Sequence, residues 1–145
     1  MKKRNEMKLT FPARSENEAF ARTAVGVFAG LADPTAADLG DLRMVVSEAV
    51  TNAVVHAYPN GGGTVTVTAA LYEGNELRVT VRDRGIGIPD IEKAMEPLFT
   101  TGGEERSGIG FSVMESFSDR LRVRSAPGRG TAVTIVKYLT PRDDA

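Results

Sequence analysis

The chain has 145 residues, 41% of them hydrophobic and 26% charged, with a formal net charge of −1 at pH 7. These are the proportions of a soluble globular protein of one domain's size, residues 1–145 forming one unit, and the near-neutral balance gives no support for direct nucleic-acid or membrane binding. Cysteine is absent, which excludes disulfides and thiolate metal sites. No apolar run reaches the length of a membrane span, and the basic start "MKKRNEMKLTF" is not followed by the apolar segment of a secretory signal. A cytoplasmic protein is expected.

"MKLTF" alternates Met7, Leu9 and Phe11 with polar neighbours, which predicts a first strand with the pattern of an exposed edge. Ser15 followed by Glu18 reads as a capping box opening a helix that carries Phe20, Val25, Val27, Phe28 and Leu31. "ADPT" ends it. A longer helix is predicted from about Thr35 to Ala57, with Leu39, Leu42, Val46, Ala49, Val50 and Ala53 on one broad face, and "YPNGGG" terminates it. "TVTVTAALY" and "ELRVTVRD" read as strands joined by the turn "EGN". After a glycine-punctuated stretch, "FSVMESFSD" reads as a helix, and "LRVRSA" and "TAVTIVKYL" as strands around "PGRG". The order β-α-α-β-β-loop-α-β-β predicts an α+β sandwich, with helices on one face of a mixed, mostly antiparallel sheet.

Two features stand out from this framework. The chain has 15 glycines, and Gly85, Gly87, Gly102, Gly103, Gly108 and Gly110 crowd between residues 85 and 110. Such a segment inside a compact domain is usually functional or disordered. The second feature is Glu48 and Asn52, four apart at the margin of the long helix, where they share one stripe. A solvated polar pair is the ordinary explanation. Asn, however, is a poor helix former, its amide oxygen can ligate Mg²⁺, and a neighbouring carboxylate can accept a proton from an attacking hydroxyl. His56 is the only histidine. Without a second His or a Cys it does not build a zinc site and reads as structural.

The common phosphate-binding patterns are missing: there is no G-x-x-x-x-G-K-[ST], and "GIGIPD" lacks the third glycine of a Rossmann turn. "SEAVTNAVVH" on a helix, "DRGIGIPD" after a strand, "RSGIGF" after a loop and "GRGT" before the last strand together resemble the Bergerat-type ATP-binding fold of histidine kinases, gyrase, MutL-type repair proteins and anti-sigma serine kinases. The resemblance covers nearly the whole chain, and the short chain is most similar to the sporulation branch of the bacterial anti-sigma serine kinases. It implies that Asp83 receives the adenine amino group, with Gly85 and Gly87 letting the backbone turn beneath the base. It also implies that Gly108 and Gly110 present backbone N–H groups to the ATP phosphates at a helix start, and that Thr131 lies near the adenine. Asn52 then matches the Mg²⁺-ligating position, Glu48 the general base, and Arg106 a lid cation approaching the γ-phosphate. Arg22 matches a position used to contact protein partners.

A sensor histidine kinase core is disfavoured, because His56 lies inside the helix lining the ATP site and no dimerising hairpin precedes it. A gyrase-like motor would need a transducer domain. What the resemblance implies instead is a homodimer that holds a sporulation RNA polymerase sigma factor (sigma F) inactive when ATP is bound. It also phosphorylates a serine of a small anti-anti-sigma protein. A general-stress anti-sigma kinase, or an ATP-gated sigma-binding module with little kinase activity, are the alternatives.

Overall fold

In the computed structural model, residues 2–96 and 109–142 are described. Strands β1 (Lys3–Pro12), β2 (Thr64–Tyr72), β3 (Glu76–Asp83), β4 (Arg120–Ala126) and β5 (Gly130–Tyr138) accompany helices α1 (Glu16–Ala29), α2 (Ala36–His56), α3 (Ile91–Ala94) and α4 (Ile109–Ser116). The strands form one five-stranded sheet in the order β1-β2-β3-β5-β4. All four pairings are antiparallel. Because β5 returns between β3 and β4, the last residue of β3 lies beside the start of β5, with Asp83 opposite Thr131.

Alternation decides which sheet face is covered. Val65, Val67, Ala69 and Leu71 of β2, Leu77, Val79 and Val81 of β3, and Val133 and Ile135 of β5 are buried against Val25 of α1, Leu42, Val45, Val46 and Val50 of α2, and Met114 of α4. Successive side chains of a strand point to opposite faces, so Thr66, Thr80, Arg82 and Thr134 lie on the uncovered side. Lys137 is a charged residue on this inner face. Its ammonium donates to the Phe117 carbonyl at 3.1 Å and pairs with Asp41 of α2 at 3.6 Å, tying both helices to β5.

The long helix follows the sequence reading closely, and Thr35 caps it by accepting from the Asp38 N–H at 3.2 Å. The first helix does not start as expected. Ser15 already has helical dihedrals, so its hydroxyl makes no capping bond. Glu18 instead accepts from the Arg22 Nε at 3.0 Å. Of the apolar residues that this helix and its end carry, Phe20, Val27 and Leu31 are exposed, while Ala21, Val25, Phe28 and Ala29 face inward. Small alanines allow α1 to approach the sheet and α2, and they outcompete the larger residues for the buried face. The hairpin joining β2 to β3 turns through positive φ at Gly74 and Asn75, the backbone that suits the right-handed twist of the strands. No helix among the described residues is long and apolar enough to cross a membrane.

Leu42 is fully buried at the centre of α2. Leu42→Ala is expected to cost about 2–5 kcal/mol, seen as a lowered denaturant midpoint with an unchanged slope.

Candidate functional site

A cleft of about 280 Å³ opens between the last two turns of α2, the segment after β3, α4 and the start of β5. Its walls are largely apolar and include Ala49, Ala53, Val81, Ile88, Phe111 and Val133. A mostly apolar slot with a few placed polar groups is the usual form of a small-ligand site. The polar groups here are Asp83, Thr131, Asn52 and His56.

Asp83 ends β3 and is buried. Its Oδ1 accepts from the Gly85 N–H at 2.9 Å and from the Thr131 N–H at 3.2 Å. Both donors hold the same oxygen, so the carboxylate is fixed in orientation while Oδ2 has no donor among the described residues. Burial raises its pKa above the ordinary carboxylate value, and the two N–H groups only partly offset this. The Thr131 hydroxyl lies 2.9 Å from the Ser125 hydroxyl, and Ser125 Oγ also accepts from the Ile88 N–H at 2.7 Å and donates to the Gly130 carbonyl at 3.1 Å. Ser125 thus fastens the loop after β3 to the β4–β5 hairpin. Sequence reasoning missed it, because a lone serine near a turn carries no motif.

The glycines of this loop are required by main chain rather than by open space. A Cβ on Gly85 would lie 2.0 Å from the Ala57 carbonyl oxygen, at the point where the Ile86 N–H donates to that same oxygen at 2.9 Å. Gly87, at φ +81°, would bring a Cβ to 2.3 Å from the Ala126 carbonyl oxygen. Gly87 lines the cleft; Gly85 holds the loop to the C-terminal end of α2. Tyr58 adds a second tie, donating to the Thr64 carbonyl and accepting from the Arg84 N–H, each at 2.7 Å. It too was missed, since its partners are distant in sequence.

Toward the other end of the cleft, Glu48 and Asn52 do share one stripe of α2, and the first turn of α4 sits against them. A Cβ on Gly110 would lie 2.9 Å from Asn52 Nδ2 and 3.2 Å from Glu48 Oε2. Asn52 Nδ2 is buried and has no hydrogen-bond partner among the described residues, an arrangement that points to a polar ligand. Which amide atom is nitrogen is set by the surrounding bonds, so this position can offer either a donor or the carbonyl oxygen. Among the described residues no group of three or more His, Cys, Asp or Glu could hold a metal. One amide beside one carboxylate suits Mg²⁺, which keeps several waters and takes substrate phosphates as ligands.

His56, read from the sequence as structural, lines the cleft. Arg22 lies away from it, half-buried on α1 and bonded to Glu18. Gly108 and Arg106 fall outside the described residues.

Residues 11–137 match the family described as the histidine kinase-like ATPase domain. A protein of Clostridium acetobutylicum named anti-sigma F factor is 54% identical over 97% of this chain and 98% of its own length. One of the same name from Geobacillus kaustophilus is 50% identical over 94% of each. Among solved structures, the RsbU and RsbW domains of a Mycobacterium tuberculosis protein superpose with a TM-score of 0.68 at 20% identity, over 94% of this chain and 33% of that one. The histidine kinase domain of a blue-light activated kinase from Erythrobacter litoralis gives 0.59 at 23% identity, over 89% and 62%. At those identities the structural likeness speaks for the fold.

Asp83→Asn keeps an acceptor oxygen for both N–H groups and removes a buried charge. Because the folded-state pKa of Asp83 is raised, its ionisation opposes folding, and that cost fades as pH falls through the raised value. Thermal melts from neutral to acidic pH are expected to show Asp83→Asn at least as stable as the parent at pH 7, with the difference shrinking on acidification.

Proposed function

The chain belongs to the histidine kinase-like ATPase domain family, and from that premise we propose that it is a cytoplasmic, ATP-dependent anti-sigma factor that also phosphorylates a serine of an anti-anti-sigma protein. The observation that carries this reading is the span of one cleft, from the buried Asp83 at one end to the Glu48–Asn52 pair at the other. The apolar walls between them take the adenine.

Asp83 does the recognising. With Oδ1 occupied by backbone donors, Oδ2 accepts the exocyclic amino group of adenine, and Thr131 supports the same edge. Desolvation makes such a bond strong and its absence costly, which discriminates against bases that lack a donor there. Gly110 keeps side-chain bulk away from the phosphates and offers its backbone N–H in the first turn of α4; Gly108, outside the described residues, is proposed to offer its N–H in the same way. Asn52 would hold Mg²⁺, which would supply positive charge to neutralise the transferring phosphoryl group.

In phosphotransfer the seryl Oγ attacks the γ-phosphorus and its proton passes to the Glu48 carboxylate. A new O–P bond forms as the bond to the bridging oxygen breaks, and ADP leaves with that electron pair. Arg106 stabilises charge on the transferring phosphoryl group. Such chemistry is mostly positioning and electrostatics.

A homodimer forms through β1, the strand at one edge of the sheet, whose free backbone groups can pair with the same strand of a second copy. Arg22 contacts sigma factor and anti-anti-sigma protein in turn, exchanging its bond to Glu18 for a partner carboxylate.

Glu48→Gln is expected to keep ATP affinity while lowering phosphotransfer by roughly 10²–10⁴-fold; equal loss of both would make Glu48 structural. Asp83→Asn, although folded, is expected to lose at least tenfold in ATP affinity with little change for nucleotides whose base lacks the amino group. Tagged protein loaded with Mg-ATP should retain sigma factor from a lysate of its own cells. With Mg-ADP it should favour the small partner. Retention of neither with either nucleotide would end the anti-sigma reading.

A further inference from the structure

The uncovered face of the sheet carries a charge pattern that the cleft does not use. On it, β5 presents Ala132, Thr134 and Val136, each in register between a residue of β3 and one of β4. The rows read Arg82, Ala132, Arg124; then Thr80, Thr134, Arg122; then Arg78, Val136, Arg120. Small floor residues between long arginines make a trough along β5, walled on both sides by guanidinium groups. Arg84 and Arg129 extend it at the end where β3 finishes. Arg82, Arg84, Arg120, Arg122, Arg124 and Arg129 are exposed. Of the arginines of this face, only Arg78 has an acidic partner among the described residues, Glu76, and its guanidinium also lies 4.7 Å from the centre of the Tyr72 ring.

For a chain of net charge −1, this face is strongly basic, and Glu76 beside Arg78 is its acidic residue on β3. Like charges gathered on one sheet face repel and lower stability. A second copy laid face to face would double that repulsion, which rules out self-association through this surface.

We propose that the trough binds an extended acidic segment of a protein partner, laid along β5 with its carboxylates, at every second residue, directed to the wall formed by Arg120, Arg122 and Arg124. The walls stand two strand spacings apart, about 9–10 Å, and Arg120, Arg122 and Arg124 repeat every ~6.7 Å along β4. That repeat matches carboxylates at every second residue of an extended peptide. Guanidinium groups pair with carboxylates through two parallel hydrogen bonds, a geometry lysine cannot offer. Single-stranded nucleic acid has a similar charge repeat, but binding it without sequence preference relies on aromatic platforms for the bases. The floor here is Ala132, Thr134 and Val136, and Tyr72 is already occupied by Arg78. The inference stands apart from the proposed function, since it uses none of the cleft residues.

The test uses the full chain and two labelled probes of equal charge, a nonapeptide alternating Glu and Thr and an oligothymidylate, read by fluorescence anisotropy. The peptide is expected to bind, and to weaken about tenfold or more as NaCl rises from about 50 mM to about 500 mM, as screened ion pairs require. Replacing Arg120, Arg122 and Arg124 together with Gln should weaken it about tenfold or more, with binding of a fluorescent ATP analogue unchanged as evidence that the variant is folded. No peptide binding, or equal binding by the variant, overturns the proposal. Tighter binding of the oligothymidylate overturns the choice of partner. Loss of the ATP analogue from the parent protein would instead count against the cleft.

Discussion

Three stretches of main chain converge at one end of the sheet more closely than side chains permit, and the rest of the site depends on that meeting. The end of α2 lies against Gly85, the β4–β5 turn lies against Gly87, and the start of β5 lies against the end of β3. In each case the nearest atom to a would-be Cβ is a carbonyl oxygen, at 2.0 Å for Gly85, 2.3 Å for Gly87 and 2.2 Å for Gly130. Only glycine tolerates such approach. The contacts draw the helix layer and the sheet together at one end, where Asp83 and Thr131 meet in register. Farther up α2, Glu48 and Asn52 face the first turn of α4. Ser125 and Tyr58 then hold the arrangement by hydrogen bonds that cross between elements.

Within that frame the polar groups are few, and Asp83 and Asn52 are left incompletely satisfied among the described residues. Asp83 is buried, held by two donors on one oxygen, and has a raised pKa. Asn52 carries an unpartnered buried amide nitrogen. Leaving buried polar atoms without partners lowers stability, and such atoms gather where a ligand supplies the missing bonds. The two lie on the lining of the same cleft.

The two faces of the sheet have divided roles. The helix-covered face supplies the core and one wall of the cleft through Val81 and Val133. The opposite face has no helix over it among the described residues and carries the arginines of β3 and β4. Alternation along each strand keeps these sets apart, so the same strands can build an apolar cleft wall and a basic surface without either disturbing the other. β1 and β4, at the two edges, remain the positions at which further chain can be added.

Much of this was legible in the sequence because it is local. Period-two alternation marked the strands, period 3.6 marked α2, and the spacing of Glu48 to Asn52 placed both on one stripe whatever the fold. Asp83 followed by Gly85 and Gly87 marked the loop. Where local patterns compete, the sequence was a weaker guide. The apolar residues of α1 did not by themselves show which face is buried: Phe20 and Val27 are exposed, and Ala21, Val25, Phe28 and Ala29 pack inward. Ser15 had the form of a cap but lies within the helix geometry. Tyr58 and Ser125 could not be found, since their partners are brought near only by the chain's return. Pairing β5 between β3 and β4 is likewise a tertiary outcome. The sequence by itself determined the elements and the chemical groups; the tertiary structure decided which groups meet, because hydrogen bonds and close backbone contacts between distant segments exist only once the sheet has closed.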